Sequence, residues 1–214
     1  MNSTYTEVKA ALGDSASLCI VTKHRTPEQI LSYYDAGERV FGENRITELK
    51  EKYEILPKDI EWHFIGHLQK NKVRDTVRRV SCLQSLESLP LAECIEKECA
   101  KQQKTMRVFA EFHMADEDEN KTGLSPADAF AFFDACRKYE HLDLCGIMVM
   151  GPHTDDEDRI REVFDKAHAL FTELQKRYGS DTVTTLSMGM SDDYKIALSC
   201  GSTMVRLGTC LFTE

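Results

Sequence analysis

The chain has 214 residues, 42% of them apolar and 29% charged, with a formal net charge of −9; that length supports one sizeable hydrophobic core, and a single domain over 1–214 is expected. The acidic balance argues against a phosphate backbone or an anionic lipid surface as a target, since either needs a basic stripe, so neither nucleic acid nor a membrane is expected as a partner. No apolar run approaches the roughly 20 residues that span a bilayer, and the polar start MNSTYTEVK has no signal-peptide core, which predicts a cytoplasmic location.

In chain order, the segment with Tyr5, Val8 and Leu12 is expected to pack as an N-terminal helix on the outside of the fold. The first strand is LCIVTK (18–23), followed by a helix that Thr26-Pro27-Glu28-Gln29 opens with a capping box and Gly37 can close. RVFGE (39–43) is the second strand, and Ile46, Leu49 and Tyr53 keep helical spacing after it. Further strands are read at WHFIGH (62–67), RVSCLQS (79–85), RVFAEFH (107–113), LCGIMVM (144–150), TTLSMG (184–189) and TMVRLG (203–208). Ser88 and Ser125 are N-cap candidates between them. The longest helical pattern is Ile160, Val163, Phe164, Ala167, Leu170, Phe171 and Leu174, an amphipathic stripe read as core. The acidic run Asp116–Glu119 reads as a solvated loop, because nothing fixes its carboxylates on one face. None of the 8 cysteines forms a C-x-x-C pair, and they read as reduced packing residues.

Strict β/α alternation implies a parallel sheet covered by helices, and 8 strand candidates in 214 residues is the count for a compact α/β barrel of the (β/α)8 type, a TIM barrel. An open doubly wound sheet is the alternative, but the turn after the first strand, KHRTP, contains no glycine.

In a barrel, function gathers at the C-terminal ends of the strands. There the sequence places Lys23, Asn44, His67, Ser187 to Ser191, and Gly208-Thr209. Ser-Met-Gly-Met-Ser leads into Asp192-Asp193-Tyr194 at the start of a short helix, so backbone N–H groups and hydroxyls converge in an arrangement that favours an anion. Ser191 as an ordinary N-cap is the plainer alternative, which leaves the two methionines and the glycine unexplained. In the last strand, alternation puts Val205 and Leu207 on the helix side and Met204, Arg206 and Gly208 on the inside. An interior arginine needs a partner. Lys23 read alone is a solvated loop lysine; beside an anion cradle and an inward cation it becomes a candidate Schiff-base amine. A phosphate, an aldehyde and a ring nitrogen in one molecule would match all three positions, which describes pyridoxal 5'-phosphate (PLP). His63 and His67 read as packed, hydrogen-bonded residues, and neither is assigned a catalytic role.

IVTKHRTP (20–27), FGENRITE (41–48), WHFIGHLQKNK (62–72) and LSMGMSDDYKIALSCGSTMVRLGT (186–209) closely resemble the pyridoxal-phosphate homeostasis proteins, single-domain relatives of the alanine racemase N-terminal barrel, over essentially the whole chain. The resemblance implies that Lys23 carries PLP as a Schiff base. It also implies that Ser187, Ser191 and the backbone of Gly208 and Thr209 hold the phosphate, that Arg206 faces the pyridine nitrogen, and that Asn44 lies near the cofactor. An arginine there leaves that nitrogen unprotonated and weakens the ring as an electron sink. The implied role is intracellular PLP homeostasis, holding, buffering or delivering the cofactor to apo PLP-dependent enzymes without turnover, by a protein expected to be monomeric. No metal is expected. The alternative is an amino-acid racemase, which pairs its lysine with a tyrosine from a second domain of a dimer partner; the chain stops at Glu214 and is expected to lack that domain.

Overall fold

A computed structural model describes residues 3–115 and 122–212; the acidic run Asp116–Glu119 lies outside the described residues. The strands are β1 (Ser17–Val21), β2 (Val40–Glu43), β3 (Glu61–Phe64), β4 (Cys82–Leu86), β5 (Met106–Phe112), β6 (Leu142–Val149), β7 (Thr185–Ser187) and β8 (Met204–Leu207). All pair in parallel and close as a barrel in sequence order, β8 against β1. The helices are α1 (Ser3–Leu12), α2 (Pro27–Asp35), α3 (Ile46–Ile55), α4 (Val73–Arg79), α5 (Leu89–Gln102), α6 (Ala129–Cys136), α7 (Glu157–Tyr178), α8 (Tyr194–Ser199) and α9 (Thr209–Phe212). This is the (β/α)8 barrel that the alternation predicts.

Local signals set several boundaries. Thr26 caps α2 through its hydroxyl, which accepts from the Gln29 N–H, while the Gln29 side chain accepts from the Thr26 N–H at 3.0 Å. The α7 stripe is buried at Ile160, Val163, Phe164, Ala167, Phe171 and Leu174, as a core-facing helix requires. Strands end earlier than the apolar runs suggest: β3 stops at Phe64 and β1 at Val21. The remaining residues of those runs form the loops of the mouth. The helix α4, which periodicity did not single out, buries only Val73, Thr76 and Val77 of VRDTVRR, too short a stripe to stand out.

Two cores follow from the layering. Leu18, Ile20, Phe41, Trp62 and Val205 face the helices in the larger one. Inside the barrel, Cys19, Cys82, Phe109, Cys145, Met148 and Met204 pack together. The cysteines are free, as expected of packing residues, and burial pushes the Cys19 thiol up to about 12. Among the described residues no helix is long and apolar enough to cross a membrane.

Candidate functional site

Arg206 is 3% exposed, inside the barrel as alternation along β8 predicts. Its partner is not a carboxylate. One guanidinium nitrogen donates to the Ser187 carbonyl at 2.9 Å and the Ser187 hydroxyl at 2.8 Å; the other donates to the Val149 carbonyl at 3.0 Å and lies 3.3 Å from the Met150 sulfur. The cation is thus solvated by the C-terminal ends of β6 and β7, at the level of the mouth. Burial pushes its pKa down, partly offset by Asp193 and Glu111, and an arginine keeps its proton under such a shift.

Beneath it runs a polar chain that the strand patterns hide. Ser187 donates its hydroxyl to the Gln84 side-chain carbonyl at 2.7 Å, and Gln84 offers its amide to His63 Nδ1 at 2.8 Å. His63 is buried to 1% and its pKa is pushed down to about 3, by burial first and Arg107 second, so the ring is neutral at pH 7. Gln84 is the residue that sequence reading missed. Its signal was period two on β4, where Cys82 and Gln84 share the inward face.

The structure does not bring Ser187 together with Ser191. Ser187 is fully buried under Arg206 with its hydroxyl engaged there, whereas Ser191 lies at the mouth, where its oxygen accepts the Cys210 N–H at 3.3 Å. That contact joins the loop after β7 to the first turn of α9 and leaves the Ser191 hydroxyl proton free to donate. One backbone N–H of the motif, that of Met190, is taken by the Asp193 carboxylate at 2.5 Å. Burial raises the Asp193 pKa despite that hydrogen bond and the nearby Arg206.

The other unusual residues of SMGMS also find structural reasons. Met188 is fully buried in the core, and Gly189 has φ +99°, with a Cβ there meeting that of Ala197 at 2.6 Å. A Cβ at Gly208 would stand 3.1 Å from both the Cβ and the carbonyl oxygen of Val21, tighter than ordinary packing, where β8 runs past β1. Thr209, the first residue of α9, is exposed beside it.

Lys23 is exposed, two residues beyond the end of β1. Among the described residues, no hydrogen bond or ion pair engages its ammonium. Asn44 follows β2, and its side-chain oxygen is buried with no hydrogen-bond partner, an acceptor awaiting a donor. A cavity of about 220 Å3 opens beside Asn44, between it, Phe64 and His67; one of about 280 Å3 lies across the mouth, lined by Ile65, Glu111, Met148 and Met150. His67 is exposed and pairs with Glu87 at 2.9 Å. Among the described residues no His, Cys, Asp and Glu cluster could hold a metal.

The mouth therefore carries an unengaged amine, a buried cation, a hydroxyl donor beside bare glycine backbone, and an orphaned amide oxygen. These fit a small molecule with an electrophilic carbon, an acceptor atom and an anionic group. Ser191→Ala is expected to remove one charge-assisted hydrogen bond, on the order of 1.5–3 kcal/mol, and so weaken binding of a phosphorylated ligand by about tenfold or more; equilibrium dialysis checks it, and unchanged affinity would place the phosphate elsewhere.

Known proteins resemble this chain in sequence and in fold. The family model described as "Alanine racemase, N-terminal domain" matches residues 1–214. The pyridoxal phosphate homeostasis protein of Helicobacter pylori strain 26695 is 38% identical over 199 residues, covering 91% of this chain and 86% of that protein. The protein of that name from Synechocystis is 34% identical over 214 residues, covering 99% and 97%. Among solved structures, PipY of Synechococcus elongatus with PLP bound superposes with a TM-score of 0.89 at 30% identity, covering 98% of each chain. Alanine racemase of Clostridium difficile shares the fold with a TM-score of 0.82 at 14% identity, and there the match spans 56% of that chain.

Proposed function

The chain belongs to the family of pyridoxal phosphate homeostasis proteins, built on the alanine racemase N-terminal domain, and on that premise we propose that it binds PLP covalently on Lys23, as a Schiff base, and holds it for release to apo-enzymes without turnover of its own. The observation that carries this reading is the pairing of an unengaged Lys23 amine with a fully enclosed Arg206 guanidinium at one barrel mouth. Bound PLP supplies an aldehyde to an amine and a ring able to withdraw electrons.

The residues divide that work as follows. Lys23 would supply the amine that takes up the aldehyde carbon, with loss of water. Ser191, with the backbone of Gly208 and Thr209, takes the phosphate, and Asn44 supplies an acceptor at the edge of the site. Arg206, held from behind by Ser187 and Val149, would face the ring nitrogen; having no lone pair and no readily lost proton, it would withhold protonation there and so discourage carbanion formation. Ser187 orients Arg206 and acts on the ligand only through it. We place the protein in the cytoplasm as a single-domain monomer, with apo PLP-dependent enzymes as recipients.

The racemase alternative requires an acid on the far face of the substrate carbon. The Tyr5, Tyr34 and Tyr178 hydroxyls are instead engaged with Glu38, Asp59 and Asp134 between the outer helices and loops. Incubating the PLP-loaded protein with L-alanine in deuterated water is therefore expected to give no α-deuteration beyond that of free PLP. An added apo-enzyme is expected to regain activity with the loaded protein as its sole cofactor source. Rapid α-deuteration with D-alanine would make the protein a racemase, and tight retention without activation of any apo-enzyme would leave a storage protein.

A further inference from the structure

Behind the barrel mouth, on the helix side of β1 and β2, lies a buried ionic cluster that the cofactor site does not use. Lys52 of α3 is 7% exposed and Glu43 of β2 is fully buried, with the ammonium 2.5 Å from Glu43 Oε1. Replacing such a pair by apolar residues often leaves stability unchanged or improves it, so stability alone is a poor reason to have one. Its hydrogen bonds point to another role. Lys52 also donates to the Thr22 carbonyl at 2.7 Å and reaches Glu48 Oε2 at 3.3 Å; Thr22 donates its hydroxyl to Glu43 Oε1 at 2.6 Å; and Glu48 Oε2 accepts the His24 N–H at 2.8 Å. The residues held are Thr22 and His24, the two neighbours of Lys23.

The segment between them is a tight turn. The Arg25 N–H donates to the Thr22 carbonyl at 3.0 Å, so that carbonyl accepts from both Lys52 and Arg25. His24 stands at the third position of the turn with φ +60°, a conformation that glycine adopts freely and a residue with a Cβ resists. Something outside the turn must hold it, and the Glu48 carboxylate on the His24 N–H is placed to do so. Lys23 itself touches none of these groups, and its ammonium is left for the ligand.

We propose that Lys52, Glu43 and Glu48 are positioning residues for Lys23: they clamp the backbone on both sides of it and so fix where its amine stands at the mouth. The inference rests on the reading of Lys23 as the PLP-binding lysine and extends it to three residues that touch no part of the ligand. The cost of ordering that amine is met when the chain folds and not when the ligand arrives, which is how a preformed site gains affinity.

The test compares two ligands that share the phosphate and the ring. PLP needs Lys23; pyridoxamine 5'-phosphate has an amine in place of the aldehyde and does not. In Glu48→Gln and Lys52→Met, PLP affinity is expected to fall, and the absorbance of the lysine-linked cofactor to appear more slowly, by about tenfold to a hundredfold. Pyridoxamine 5'-phosphate affinity should move by no more than about twofold. In the cofactor-free protein, the His24 amide should exchange its hydrogen faster in Glu48→Gln than in wild type, and Lys52→Arg should restore part of the PLP affinity. Equal losses for both ligands would reduce the cluster to a general structural role, and no loss for either would overturn the proposal. Glu48 is partly exposed, so its variant carries the test if Lys52→Met does not fold. A wild-type protein that binds both ligands alike, with no adduct on Lys23, would overturn the function itself.

Discussion

Lys23→Ala is expected to abolish the absorbance of lysine-linked PLP and the borohydride-trapped adduct on this chain, while leaving its thermal unfolding within a degree or two of wild type. The two halves of that result have separate causes. Lys23 is exposed and its ammonium has no partner among the described residues, so its truncation removes no burial, hydrogen bond or ion pair, and such substitutions fall within about 0.5 kcal/mol. Chemically the loss is expected because Lys52, close to this strand end, is committed to Glu43 and Thr22 and buried behind the sheet. Weak binding through Ser191, Gly208, Thr209 and Arg206 should persist and be seen by dialysis. A peptide map of the reduced wild-type protein with label on another lysine, or a full band in the variant, would remove Lys23 from the site.

The second large effect is on acid stability. His63 has a folded pKa of about 3 against an ordinary value of 6.5. Between those values the unfolded chain binds a proton at this position and the folded chain does not, so stability rises with pH across the window and is lost as pH falls from 6.5 towards 3. At pH 4 the expected loss from this one group is about 3 kcal/mol relative to pH 7, at about 1.4 kcal/mol per pKa unit. For a domain of this size that corresponds to roughly 6–12 °C in melting temperature. His63→Gln keeps an acceptor for the Gln84 amide and cannot titrate in this range. The gap between its melting temperature and that of wild type should therefore shift in favour of the variant by about that amount between pH 7 and pH 4. Parallel pH profiles for the two proteins would show that His63 is not the group responsible.

Much of this protein is legible in its sequence. Eight short apolar runs separated by helical patterns specify a parallel barrel, because each strand must bury both faces and each crossover must return along the sheet. Period two along TMVRLG put Arg206 inside. The strand ends placed Lys23, Asn44, Ser191 and Gly208 after β1, β2, β7 and β8, at one end of the barrel whatever their spacing in the chain. The resemblance in FGENRITE, WHFIGHLQKNK and SMGMS pointed to the family that the comparisons show.

What Arg206 bonds to was not legible, because two of its partners are the backbone carbonyls of Ser187 and Val149, which every residue has and no pattern marks. The same holds for Ser187 and Ser191. They sit four residues apart in one motif, yet the strand ends between them, leaving one hydroxyl in the barrel interior and the other on the loop. The Glu43, Lys52 and Glu48 cluster was likewise invisible, since a lysine in ITELKEKYEI reads as one more charge on a helix surface. Its burial depends on β1 and β2 meeting α3 at one place. The sequence by itself determined the repeating pattern of which residues face in and which face out, because burial acts on each segment through its own periodicity. Only the tertiary structure decided which polar atoms find each other, because hydrogen bonds act over about 3 Å between groups that the chain keeps far apart.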